Sequence, residues 1–156
     1  IIDIDTDVLG ESIQVQVSGS GSPPDCEVCA PRLEVVTSTG TSSTLDLVPA
    51  FVFGCTANGT ITLKNTGDMD LNLTAVNVMN NWFDLLSEGN FTASWPGPVT
   101  LAPGGSSVVA IDYVTDGPNT EVSDIATDQN VVHILSNDPS QPDWVVALSA
   151  TVPFCG

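Results

Sequence analysis

Residues 58–78, NGTITLKNTGDMDLNLTAVNV, constrain the fold more than any other stretch of this chain. Ile61 and Leu63 alternate with Thr60, Thr62 and Lys64, the period of a strand with one buried face. Asn65-Thr66-Gly67-Asp68 follows, four residues suited to a tight turn. Leu71 and Leu73 then alternate with Asn72 and Thr74, after which the apolar phase slips to Val76 and Val78. A one-residue slip within a strand predicts a β-bulge.

The same period recurs along the chain. Leu33–Val36 is a short first strand, and the apolar run from Leu45 to Phe53 is closed by Gly54-Cys55. Trp82–Leu86 is a short strand or turn. Val109, Ile111 and Tyr113 share one face of a strand over Val108–Val114; Val132 and Ile134 share one over Asn130–Leu135. Trp144, Val146 and Leu148 do so over Trp144–Leu148. No segment sustains a helical period. About seven short strands separated by Gly, Pro and Asn predict an all-β sandwich. Two long loops are expected, at 88–105 and at 116–128.

The amino terminus echoes the carboxyl end. Ile2, Ile4 and Val8 alternate with Asp3, Asp5 and Asp7, and Ile13, Val15 and Val17 alternate with Gln14 and Gln16 after a Leu9-Gly10 turn. That is a hairpin pattern. Shifted by 131 positions, Asp7 falls on Asp138, Val15 on Val146, Val17 on Leu148 and Ser18 on Ser149. Residues 1–22 therefore resemble the closing hairpin of a preceding copy of the same domain. The Cys/Pro-rich linker 23–31 divides them from a sandwich over 32–156. Ile1 reads as a cut end rather than a translation start.

Nineteen acidic residues stand against two basic ones, Arg32 and Lys64. Phosphate contacts need clustered Lys and Arg, so nucleic-acid binding is excluded as an expectation. No apolar run approaches a membrane span, and membrane insertion is not expected. An acidic surface fits a salty or extracellular medium.

Three segments together carry a family resemblance: ITLKNTGDMDLNL, LAPGGSSVVAIDYV and HILSNDPSQPDWVVALSATV. In that order they are similar to the immunoglobulin-like domains of the abnormal-spindle/Hydin type, also found as choice-of-anchor D repeats of bacterial surface proteins. The resemblance covers roughly residues 33–152. It implies a PapD-like, seven-stranded immunoglobulin-like sandwich, here with an extra amino-terminal β-hairpin, used in scaffolding or adhesion and without catalytic residues. The four cysteines and the acidity depart from that pattern and favour an exported protein.

Four cysteines in an exported chain predict disulfides, with three pairings open. In an immunoglobulin-like sandwich the second half of the first strand runs parallel beside the last strand. On that resemblance Cys55 and Cys155 would pair across their ends, with Cys26 and Cys29 forming a local clip. One Cys-x-x-Cys without a second does not make a zinc site. Asp3, Asp5 and Asp7 resemble the start of a calcium loop, although the central Gly and distal Glu are missing; calcium is the one cofactor raised, against a solvated acidic face. Asn58, Asn72 and Asn90 head glycosylation triplets. His133, the single histidine, reads as a strand residue rather than a catalytic one, and no nucleophile elbow, P-loop or metalloprotease helix is present. Trp144 reads as core, and Trp95, in Ser94-Trp95-Pro96-Gly97, as an exposed contact.

The expectation is a non-enzymatic, extracellular or cell-surface structural module whose partners are copies of itself. Ile2, Ile4, Ile13, Val15 and Val17 would form the head-to-tail junction by completing another copy's sheet. The rival expectation is an adhesin or carbohydrate-binding module acting through loops 88–105 and 116–128.

Overall fold

The computed structural model describes residues 29–48, 56–79, 89–115 and 125–153. The expected hairpin 1–22, with its assembly residues and the acidic triplet Asp3, Asp5 and Asp7, lies outside the described residues. So do Cys26, Cys55 and Cys155, the segment Trp82–Leu86 and most of loop 116–128.

Nine strands are described: β1 (Leu33–Thr37), β2 (Thr44–Leu47), β3 (Thr56–Asn65), β4 (Leu71–Met79), β5 (Gly89–Ser94), β6 (Val99–Leu101), β7 (Ser106–Thr115), β8 (Ile125–Ser136) and β9 (Asp143–Pro153). They form two sheets, ordered β1-β3-β7-β5 and β2-β9-β8-β4-β6. All described pairings are antiparallel except one: β2 runs parallel to β9, from Thr44↔Ala147 to Leu47↔Ala150. The first strand is thus shared between the sheets, its first half on β3 and its second on β9. Sheets built from alternating residues bury one face each. Leu45, Ile61, Leu63, Ile111, Ile134 and Leu148 meet between them, each at 0–1% exposure.

Both strands of the central stretch form as the alternation requires, but they do not pair as a hairpin: β3 lies between β1 and β7 in one sheet, β4 between β8 and β6 in the other, and the turn after Asn65 crosses from sheet to sheet. The register shift between Leu73 and Ala75 is the bulge expected from the phase slip. β3 reaches further back than its apolar pattern, to Thr56, because Gly59 occupies an inward position. A Cβ there would sit 2.6 Å from the Leu47 side chain, so the bare backbone makes room for β2 as it crosses to the other sheet.

The stretch 88–105 is not one long loop. It carries β5 on the edge of the first sheet and β6 on the edge of the second, joined by Trp95–Pro98. Neither strand announces itself, since GNFTAS buries chiefly Phe91, against Tyr113 at 4.8 Å between ring centroids, and VTL is three residues long. β8 likewise begins at Ile125, inside the expected loop 116–128, because pairing with the end of β9 extends it.

Candidate functional site

The three sequence segments that carry the resemblance converge on one end of the sandwich, the N-terminal pole, where β1 begins. Each contributes a turn, and the turns are held by two fully buried polar side chains.

Asn65 is the first. It continues the inward phase of Ile61 and Leu63, and it is 0% exposed. Its amide nitrogen donates to the carbonyls of Met69 (2.7 Å) and Leu101 (2.9 Å); its oxygen accepts from the backbone N–H groups of Gly67 (2.9 Å) and Arg32 (3.4 Å). Both donors and both lone pairs are therefore occupied. One side chain closes the β3–β4 turn, fixes the end of β6 and steadies the approach to β1. Gly67 faces the incoming chain so closely that a Cβ would lie 2.2 Å from the Ala30 carbonyl oxygen. That contact allows the Thr66 N–H to reach the Arg32 carbonyl (2.8 Å) and the Asp68 N–H to reach that of Ala30 (3.3 Å). Residues 30–32 are held before β1 formally starts.

Asp138 is the second, at 2% exposure in the β8–β9 turn. One carboxylate oxygen accepts the Leu33 N–H at 2.8 Å; the other accepts the Ser140 N–H (2.8 Å) and hydroxyl (2.6 Å). Burial acts to raise its pKa, but the bonds from the Ser140 hydroxyl and from the Leu33, Ser140 and Gln141 N–H groups outweigh it and hold the carboxyl below its ordinary value. Beside it, Asn137 ties the same turn to β4, accepting the Asn72 N–H at 2.7 Å and donating to the Asp70 carbonyl. These groups fasten; none is aimed at a ligand. Reading the sequence as turn residues alone misses Asn65 and Asp138, although the inward phase of Asn65 is a usable signal.

The other candidates fall elsewhere. His133 lies on the outer face of β8, its Nδ1 2.9 Å from the Asp143 carboxylate. Asn58, Asn72 and Asn90 are exposed on strands, and Asn72 accepts the Thr100 hydroxyl across the β4–β6 pair. Cys29 is disulfide-bonded. Trp144 packs on the core and donates its indole N–H to the Ser42 carbonyl at 2.9 Å. Trp95 is not the exposed contact expected of it: it packs on the core between β5 and β6, where its indole N–H is buried without a partner. The proline and glycine after it bend the chain and turn the ring inward to cover the gap between the sheets. A shallow groove of about 350 Å³ runs over Ala147 and Ser149 of β9, between Thr44 and Asp46 of β2 and Gln129 and Val131 of β8. Among the described residues no group of His, Cys, Asp and Glu is arranged to hold a metal ion, and no helix is long and apolar enough to cross a membrane.

No protein-family model matches the sequence, and no curated protein matches it. Solved structures do. A protein of unknown function from Porphyromonas gingivalis W83 superposes with a TM-score of 0.56 at 21% identity, over 80% of this chain and 49% of that one. This chain spans about half that protein's length. The ASH / PapD-like domain 7 of human CEP192 superposes with a TM-score of 0.50 at 15% identity, over 92% of this chain and 96% of that one. With two sheets of four and five strands and a first strand divided between them, the chain folds as a PapD-like, immunoglobulin-like domain.

Proposed function

We propose that this chain is a structural module of an extracellular filament or cell-surface assembly, without enzymatic activity, joined head to tail to copies of itself through its amino-terminal hairpin. One observation carries the reading. Aligned on β8 and β9, five apolar residues of that hairpin, Ile2, Ile4, Ile13, Val15 and Val17, fall on inward positions of the closing hairpin.

An offset of 130 places Ile2 on Val132 and Ile4 on Ile134; an offset of 131 places Ile13 on Trp144, Val15 on Val146 and Val17 on Leu148. Val132, Ile134, Val146 and Leu148 are at 0–1% exposure, and Trp144 packs on the core. Asp7 falls on Asp138, the buried carboxylate that fastens β1. The change of offset by one shortens the turn by a residue and leaves both arms in phase. A pattern that matches core, turn and buried acid together supports a second instance of this hairpin. Burying each such apolar side chain is worth about 1.5–3 kcal/mol.

This sandwich already has its own closing hairpin, with β9 between β2 and β8 and β8 against β4. It offers no vacancy for another. Residues 2–17 therefore serve as the closing hairpin of another copy, one that does not close on a hairpin of its own.

A gene joining residues 23–131 directly to residues 2–156 tests this. The front sandwich then lacks the end of β8 from Val132 onward and all of β9, and can close only on residues 2–20. Two folded domains, both resistant to protease, are expected, with Val15→Asp/Val17→Asp unfolding the front one alone. A front half that stays unfolded with the native hairpin sequence overturns the proposal.

A further inference from the structure

The two ends of the described chain leave from opposite poles. Residues 30–33 are clamped beside the β3–β4 and β8–β9 turns, whereas Pro153 ends β9 at the other pole, paired with Ile125. β9 has 11 residues, so the poles are about 35 Å apart. Between them, β2 lies parallel to β9 over four residue pairs. The contact is reinforced on both sides: the Ala147 N–H donates to the Ser43 carbonyl (2.8 Å), the Trp144 indole to the Ser42 carbonyl (2.9 Å), and the Ser149 hydroxyl to the Asp46 carboxylate. Leu45 and Leu47 of β2 are buried, so β2 cannot slide without dragging both through the core.

We infer that the β2–β9 contact is a tension-bearing joint, so that the module transmits pulling force along an array. The inference rests on copies being joined end to end. Force on the two ends draws β2 towards one pole and β9 towards the other, along the strand axis. The ladder hydrogen bonds of this parallel pair are evenly spaced and slanted, and each runs from strand to strand rather than along the axis. They are therefore loaded together and must yield together, whereas a force that lifts one strand end breaks them one at a time. β1 adds to the resistance, because its five pairs with β3 and the Asn65 and Asp138 contacts are loaded in the same sense. The second ladder on β9, to β8, spans 11 pairs and outlasts the first.

Single-molecule pulling on the full chain tests the joint, in reductant so that no cross-link sets the reading. Handles at residues 1 and 156 load β2 and β9 in shear; handles at residues 1 and 141 pull from a single pole and peel β2 from the start of β9. The expected unfolding force is severalfold higher in the first geometry. Asp46→Ala/Ser149→Ala removes the cross-strand side-chain bond and should speed unfolding at fixed load about fivefold in the first geometry, the effect of about one net hydrogen bond. Equal forces in the two geometries, or a double variant that unfolds at the parent's rate under load, would overturn it. Because the readout comes from one chain, the joint is tested separately from the assembly of copies.

Discussion

Two turns at the N-terminal pole do the same task by different chemistry. Asn65 and Asp138 are both buried, both bond backbone groups far away in sequence, and both hold the chain where β1 begins. Asn65 is neutral and uses its two donors and two lone pairs, so its contribution does not depend on pH. Asp138 accepts on both oxygens, which only a carboxylate can do, and it bears the cost of burying a charge. One latch is permanent; the other is conditional on ionisation.

Substituting the permanent latch should have the largest effect. Asn65→Ala leaves the carbonyls of Met69 and Leu101 and the N–H groups of Gly67 and Arg32 without their partner, and should cost about 4 kcal/mol in a denaturant melt. A loss below 1 kcal/mol would mean that water reaches this pole and that the comparison between buried latches is wrong.

Gly67→Ala comes next, at about 3 kcal/mol, since the added carbon meets rigid backbone at Ala30 and Arg32 rather than a side chain that can move. Amide exchange should quicken at Arg32 and Leu33 before the rest of the sandwich. Uniform quickening would place the effect on the whole fold instead of the approach to β1.

Asp138→Asn should cost about 2 kcal/mol, because an amide turns N–H groups towards either the Leu33 or the Ser140 donors. This variant also separates the two latches by pH. The folded-state pKa of Asp138 lies below its unfolded value, so its stabilisation is complete above the ordinary carboxylate range near pH ~4 and is lost as pH falls through the depressed folded value. The parent should lose stability there and Asp138→Asn should lose less. Parallel stability profiles for the two proteins would remove Asp138 from the acid response.

The smallest contrast sharpens the same lesson at the two indoles. Trp144→Phe forfeits the bond to the Ser42 carbonyl and should cost about 1 kcal/mol beyond lost packing, while Trp95→Phe relieves a buried N–H that has no acceptor and should be close to neutral. Chemical denaturation of the two variants side by side reads the difference. A larger loss at Trp95 would show that its N–H has an acceptor.

Much of the sandwich was legible from period alone. The alternation in Ile61/Leu63, Val109/Ile111/Tyr113 and Val146/Leu148 selected the buried faces, and the phase slip after Leu73 marked the bulge, because a strand exposes its two faces to different solvents. The short edges were not legible. β5 and β6 are held by pairing to β7 and β4, not by a pattern of their own, and their neighbours come from distant positions in the chain. Trp95 is inside for the same reason, since the gap it covers exists only once the two sheets have packed.

The latches divide in the same way. Sequence by itself determined that residues 65–68 turn, and that the first twenty residues echo the closing hairpin, since turn residues and apolar phase are local properties. Only the tertiary structure decided that Asn65 and Asp138 are buried and aimed at Arg32 and Leu33, whereas the parallel run of β2 beside β9 is the one that the family resemblance implied. Hydrogen-bond partners 33 and 105 residues apart are matched by the packing of sheets, and no local spacing encodes them.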